Sequence, residues 1–312
     1  MRVGGPLAAT GRTRRWARVS LATCLTVAAS ACDEPADEPA DPADAHVLIT
    51  DRDGGRVIRY DARTGARVDE MIGAGGTLDR PSSVLVRGEV VYLARFGDGV
   101  IDRYDLATGA PLGSLFRDTY WLEEPVELQA LGDELLVLGN DSDNIVVLDA
   151  AGALVRQFGA PTMRAPHDFV VDARGRLLVT TEAAPGEGKV QVWDPIAGAL
   201  LTSFGASLVR AVGITLGDDG DILVADEGGD RIARFDAERF TPRPDFARDD
   251  PRLLRPIDLE LGPGPILYVV VAAGVLELDG VDGTPRGFLA TVGDALTRPR
   301  SVDIAPPCEP TP

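Results

Sequence analysis

Ile222-Leu223-Val224-Ala225-Asp226-Glu227-Gly228-Gly229-Asp230-Arg231-Ile232-Ala233-Arg234-Phe235-Asp236 reads as an apolar strand, a polar turn, and a second strand that closes on an aromatic residue and an aspartate. The closing aspartate recurs. Asp61, Asp105, Asp149, Asp194, Asp236 and Asp279 follow one another at spacings of 42 to 45 residues, which over a chain of 312 residues is a repeat. Large apolar residues precede them, Tyr60, Tyr104, Leu148, Trp193, Phe235 and Leu278, and are expected in the core. Gly65, Gly109, Gly152, Gly198 and Gly283 come soon after and suit a turn that the aspartate side chain initiates. The aspartate is thereby explained without any function.

A second column marks another strand. Pro81, Pro125, Pro166, Pro256 and Pro299 open apolar segments, with Ala211 in the same column, and proline suits a strand's first residue because no ladder donor is needed there. Between this column and the closing aspartate runs a further apolar segment, such as Leu135-Leu136-Val137-Leu138, so each repeat holds four strands. With 35 glycines and 23 prolines, short strands and turns outweigh helix. Six such units predict an all-β, six-bladed β-propeller, since a solenoid would need polar capping repeats that neither end of the array provides. The phase agrees. The array begins at a second strand, Val47 to Asp51, and ends with a proline-opened first strand at Pro299, so the C-terminal strand is expected to join the N-terminal blade and close the ring.

The strand with Ala225-Asp226, the turn, and Arg231-Ile232 leading to Phe235-Asp236 resemble the NHL repeat, and with the period the resemblance covers residues 46–305. Arg95, Gly139 and Thr181 replace the strand-end aspartate in other repeats, and the last repeat has a shortened turn at Ala272-Ala273-Gly274. The resemblance implies a binding platform, with metal-dependent lyases and lactonases among propellers of similar shape. Fold alone does not choose between them.

Two residues beyond the proline column stand Ser83, Glu127, Asp168, Gly213, Asp258 and Ser301, placed to ring the channel. Glu127, Asp168 and Asp258 are candidate ligands for a hard cation such as calcium, although no cofactor is required, and acids and hydroxyls there also satisfy exposed backbone groups. Just before the column stand Arg80, Arg210, Arg255 and Arg298, expected to pair with those acids between blades and, secondarily, to offer a basic patch to anions. His167 is one of only two histidines, too few for a zinc hydrolase or a Ser-His-Asp enzyme. Beside Asp168 it is the single candidate acid or base of an enzymatic alternative, a lyase or lactonase with its metal at the channel.

Arginines 2, 12, 14, 15 and 18 precede an uncharged run over residues 19–31 that is shorter than the roughly 20 residues of a spanning helix, so residues 1–31 read as a signal peptide. Ala29-Ser30-Ala31-Cys32 resembles a bacterial lipobox, which implies a lipidated Cys32. Ala29 stands where a larger aliphatic residue is commoner, and cleavage without lipid is the alternative. Residues 32–45 are an acidic Pro/Ala-rich tether, and residues 306–312 a Pro-rich tail with Cys308. The expected product is an exported lipoprotein on the periplasmic or cell-surface side of an envelope membrane, binding a protein or small ligand there. Loss of residues 1–31 takes five arginines and no acids, leaving 26 basic against 49 acidic side chains and a formal charge of −23. Such a surface disfavours nucleic acid and leaves membrane attachment to the lipid.

Overall fold

The computed structural model describes residues 45–305. The leader, nearly all of the tether with Cys32, and the tail with Cys308 lie outside the described residues. Six antiparallel sheets are arranged as blades whose inner strands are Pro299–Ala305, Pro81–Arg87, Pro125–Leu131, Asp168–Val171, Ala211–Leu216 and Asp258–Leu261, for blades one to six. Each inner strand contacts the next, and the sixth contacts the first, so the strands enclose a central channel. Ring closure follows the sequence phase: Pro299–Ala305 pairs antiparallel with His46–Asp51, from His46 opposite Ala305 to Asp51 opposite Pro299.

Five blades have four strands. Blade five has three, Ala211–Leu216, Ile222–Asp226 and Arg231–Phe235, and its outer position is held only at isolated bridges, Ile232 to Ala247 and Phe235 to Pro242. The reason is local. Pro242 and Pro244 remove ladder donors from the segment that should form the fourth strand, which departs from the expectation of four strands in every repeat.

The described residues share no single core. Six apolar clusters lie at the six interfaces between blades, and alternate residues of each middle strand serve two of them. Val47 and Ile49 pack with Tyr268 and Val270 of blade six, while Leu48 between them packs with Val91 and Leu93 of blade two. Period-two side-chain alternation therefore buries both faces, and the middle strands read as continuous apolar runs because neither face meets water. All six residues before the closing aspartates are buried as expected, Tyr104 being the most open at 9%.

The closing aspartates do what the turn chemistry requires. Asp61 and Asp105 accept from the Thr64 and Thr108 amides, Asp149 from Ala151, Asp194 from Ile196, Asp236 from Glu238 and Asp279 from Val281. Gly109, at φ 66°, shows why glycine completes the turn: a Cβ there would lie 1.9 Å from the Met71 carbonyl oxygen of the adjacent blade.

Candidate functional site

The channel mouth is shaped by the first residues of the inner strands. In blades one, two, three and five the pairing register shifts there by one extra residue, as where Pro299 faces Asp51 but Ser301 already faces Thr50. Such bulges re-aim side chains. Arg300, Val126 and Val212 consequently line a mouth cavity of about 510 Å³ together with His167 and Ile257, the corresponding residues of blades four and six. Immediately before the proline column, Arg80, Glu124, Ala165 and Arg255 have φ of 41° to 53°, an uncommon conformation for residues with a Cβ. The mouth is thus built of backbone that only the surrounding ring holds in place.

Arginine dominates the cavity wall: Arg52, Arg210, Arg255, Arg298 and Arg300 face a single carboxylate, Glu227. Glu227 is buried and holds two of them, with Arg255 Nη2 donating at 2.5 Å and Arg210 Nη1 donating to its other oxygen. Arg210 Nε also donates to Glu182 at 2.8 Å. The three remaining arginines all belong to blade one. Arg298 is 3.7 Å from the exposed Asp53, and the Arg52 guanidinium lies 3.7 Å above the Phe96 ring, a cation–π contact. Neither Arg52 nor Arg300 has an ion-pair partner among the described residues. Burial, followed by the charges of Arg300, Arg298 and Arg80, pushes the Arg52 guanidinium down to about 10.

His167 lies at the wall with its buried Nε2 lacking a hydrogen-bond partner among the described residues, 3.6 Å from Glu182 Oε1. Burial and the positive charges of Arg300 and Arg210 lower it to about 4, against the pull of Glu182, so the ring is neutral at physiological pH.

The acids sit elsewhere. Glu127, Asp168 and Asp258 line the channel below the mouth, joined by Glu260 and Asp303 two residues further along blades six and one. The expected pairing of Arg80, Arg210, Arg255 and Arg298 with them does not occur: Arg80 lies beside Asp79 at 3.8 Å, and the other three take the partners given above. The acids instead accept from backbone. Asp168 takes the Phe169 amide at 2.6 Å and the Ile214 amide of blade five at 2.7 Å. Asp258 takes Val302 N of blade one at 2.8 Å, and Asp303 takes Val86 N of blade two at 3.2 Å. Glu127 accepts from the Ser83 hydroxyl of blade two at 3.1 Å and from its neighbour Leu128 N. These carboxyls therefore fasten one blade to the next. Gly213 fills the same column in blade five because a Cβ would come within 2.7 Å of Asp258 Cα.

Burial, with mutual repulsion adding to it at Glu127 and Asp168, holds these two well above the usual carboxylate range. Burial likewise raises Glu260 well above it, Asp258 to about 6 and Asp303 to about 7. Among the described residues no group of three or more His, Cys, Asp or Glu side chains is gathered closely enough to hold a metal ion, and the trio Glu127, Asp168 and Asp258 forms no such group.

Sequence reasoning singled out Arg210, Arg255, Arg298 and His167, which the structure brings to the cavity, and Arg80, which stands beside Arg52 with its guanidinium 5.1 Å from the Phe96 ring. It missed Arg52, Arg300 and Glu227. Arg300 had a usable signal: one residue after the column proline stand Ser82, Val126, His167, Val212, Ile257 and Arg300, where a permanent charge is out of keeping.

No protein-family model matches the chain. Solved structures share the fold. A chain in the nidogen/laminin complex superposes with a TM-score of 0.69 at 18% identity, covering 84% of this chain and 98% of that one. A Bacteroides caccae protein gives 0.67 at 16% identity with the same coverage, and virginiamycin B lyase from Staphylococcus aureus gives 0.56 at 13% identity, covering 82% of this chain and 78% of the lyase.

Proposed function

We propose that the chain is an exported, lipid-anchored, NHL-like propeller that acts as a binding module at the cell envelope, its ligand seated in the cavity at the channel mouth. One observation carries this reading: two arginines of the cavity wall, Arg52 and Arg300, have no ion-pair partner among the described residues, while Asp168, Asp258 and Asp303 below them are committed to backbone amides of neighbouring blades. Unsatisfied groups around a concave wall are what a ligand completes. The likeness to a chain of the nidogen/laminin complex is in keeping with a propeller that takes part in a complex.

Ala272 is exposed at the cavity wall, on the turn between the second and third strands of blade six. Coupled to a resin, the parent protein should retain a component of envelope extract that Ala272→Trp does not, because the indole fills the cavity. Equal retention by both moves binding away from the mouth. The anchor is tested separately: Cys32→Ser should abolish labelling by a fatty-acid analogue and free the protein from membranes, and persistence of both removes the lipid from the reading.

A second reading, an enzyme of lyase or lactonase type, is favoured by one feature, the neutral His167 with its unpartnered Nε2 at the cavity wall. On that reading His167→Ala abolishes turnover of a lactone or lyase substrate panel while leaving the extract component bound.

A further inference from the structure

The geometry points to a ligand class for this cavity: we infer that it binds a small molecule carrying at least two oxyanion groups, carboxylate or phosphate, clamped by Arg52, Arg298 and Arg300 of blade one. This inference rests on the binding reading above and specifies its chemistry.

The cavity has two unlike sides. On blades five and six, Glu227 occupies Arg210 and Arg255 and fixes their guanidinium groups. On blade one three cations stand together, and among the described residues their one ion pair is the 3.7 Å contact of Arg298 with Asp53; Glu124 feels Arg52, and Asp168 and Asp258 feel Arg300, only through space. The Arg52 amide donates to the Arg298 carbonyl at 2.9 Å, so the turn that carries Arg52 is tied to the segment that leads into Arg300. On blades three and four, away from blade one, the wall is uncharged, formed by Val126, Asn140 and His167, and suits the body of a ligand better than its charged end.

This convergence of like charge runs against the chain. A protein of net charge −18 has acids in excess almost everywhere, and most of its other buried or half-buried arginines are paired, as Arg56 is with Asp51, Arg156 with Glu134 and Arg234 with Asp221. Arg52 and Arg300 are exceptions that face the same space. Their mutual repulsion costs stability in the empty protein, and an oxyanion removes that cost while forming bidentate hydrogen bonds to each planar fork. The volume, about 510 Å³, is that of a small-molecule site. An ion that binds only the folded ring raises its melting temperature by mass action.

The test uses the full-length protein at constant ionic strength, with citrate and pyrophosphate, each carrying at least two oxyanion groups, as probes and tetramethylammonium chloride as the salt control. Both anions are expected to raise Tm saturably, with the stronger arm telling carboxylate from phosphate recognition. The double variant Arg52→Gln/Arg300→Gln should bind either anion at least tenfold more weakly. Its Tm without anion should equal or exceed that of the parent, an outcome that a structural role for these arginines does not produce. Arg239→Gln, an exposed arginine outside the cavity, should leave the anion response intact. No saturable shift, or a shift that survives in the double variant, overturns the oxyanion assignment. If the assignment fails while Ala272→Trp still loses the extract component, the binding reading stands with an uncharged ligand. Failure of both removes the cavity as a binding site.

Discussion

Two tiers of the same channel hold opposite charges in opposite states of satisfaction. At the mouth, the blade-one arginines Arg52 and Arg300 have no ion-pair partner among the described residues, although nearby Glu227 shows how readily a carboxylate takes two guanidinium groups. One residue further along the strands, Asp168 and Asp258 are buried and Glu127 is half-buried, and all three are satisfied by amides and a hydroxyl. The acids resemble a functional cluster in the sequence and act as fasteners. The arginines that look like fasteners, Arg210 and Arg255, do pair, but with Glu227 at the mouth, and the two without an ion-pair partner among the described residues, Arg52 and Arg300, stand outside the column that marked the others. Charge at a channel therefore indicates function through what remains unpaired, and repetition around the ring is a poor guide to it.

Removing the strand that carries both tiers of blade one is the most severe way to break this contrast. Deletion of residues 297–312 takes away Arg298, Arg300, Asp303 and the partner of His46–Asp51, and should leave insoluble or aggregated protein on size-exclusion chromatography. Deletion of residues 306–312 alone should elute and melt as the parent does.

Next in size is Asp168→Ala, which orphans the Phe169 and Ile214 amides inside the channel wall. At roughly 1–3 kcal/mol for each of the two buried unsatisfied donors, a loss of about 2–6 kcal/mol is expected in urea denaturation at pH 5. At pH 8 the loss should be smaller, since the variant also removes a repelling neighbour of Glu127 and Asp258. A loss that is equal or greater at pH 8 contradicts the raised affinity for the proton assigned to this tier.

Titration of the parent sharpens the same point. Asp258 at about 6 and Asp303 at about 7 bind protons more tightly folded than unfolded, so the penalty for ionising them is absent near pH 4, grows as pH rises, and is complete above about pH 7. His167 works in the other direction between about 4 and 6.5 but is a single group against five acids. Calorimetric scans at fixed ionic strength should place Tm higher at pH 5 than at pH 8, by on the order of 5 °C. The reverse order would mean that the acids are ionised and hydrated.

Smallest is the effect at the mouth. Arg298 has a side chain 65% exposed and a distant partner, so Arg298→Ala should change unfolding free energy by no more than about 0.5 kcal/mol. A loss above 2 kcal/mol would make the mouth arginines part of the fold and erase the contrast between tiers.

Much of the fold was legible in sequence because its determinants are local. A turn aspartate needs only its next few amides, as Asp149 shows with Ala151 and Ala153, and a strand-opening proline needs only its own missing donor. The phase of the array revealed closure because a strand absent at one end and surplus at the other must pair. Blade five departs from the repeat at its outer strand, where Pro242 and Pro244 withhold the donors that a fourth ladder needs and leave isolated bridges in its place.

Periodicity, turn chemistry and phase, all expressed between residues near in the chain, determined from sequence alone that six blades close into a ring. Only the tertiary structure decided what the charges do. Asp168 meets Ile214 N, Asp303 meets Val86 N, and Arg52 meets the field of Arg300 across 46, 217 and 248 residues of chain. A carboxylate or guanidinium carries no mark of its partner in its own sequence neighbourhood. Whether it is buried, satisfied or left open depends on the bulges and the curvature of the ring that bring distant strands side by side.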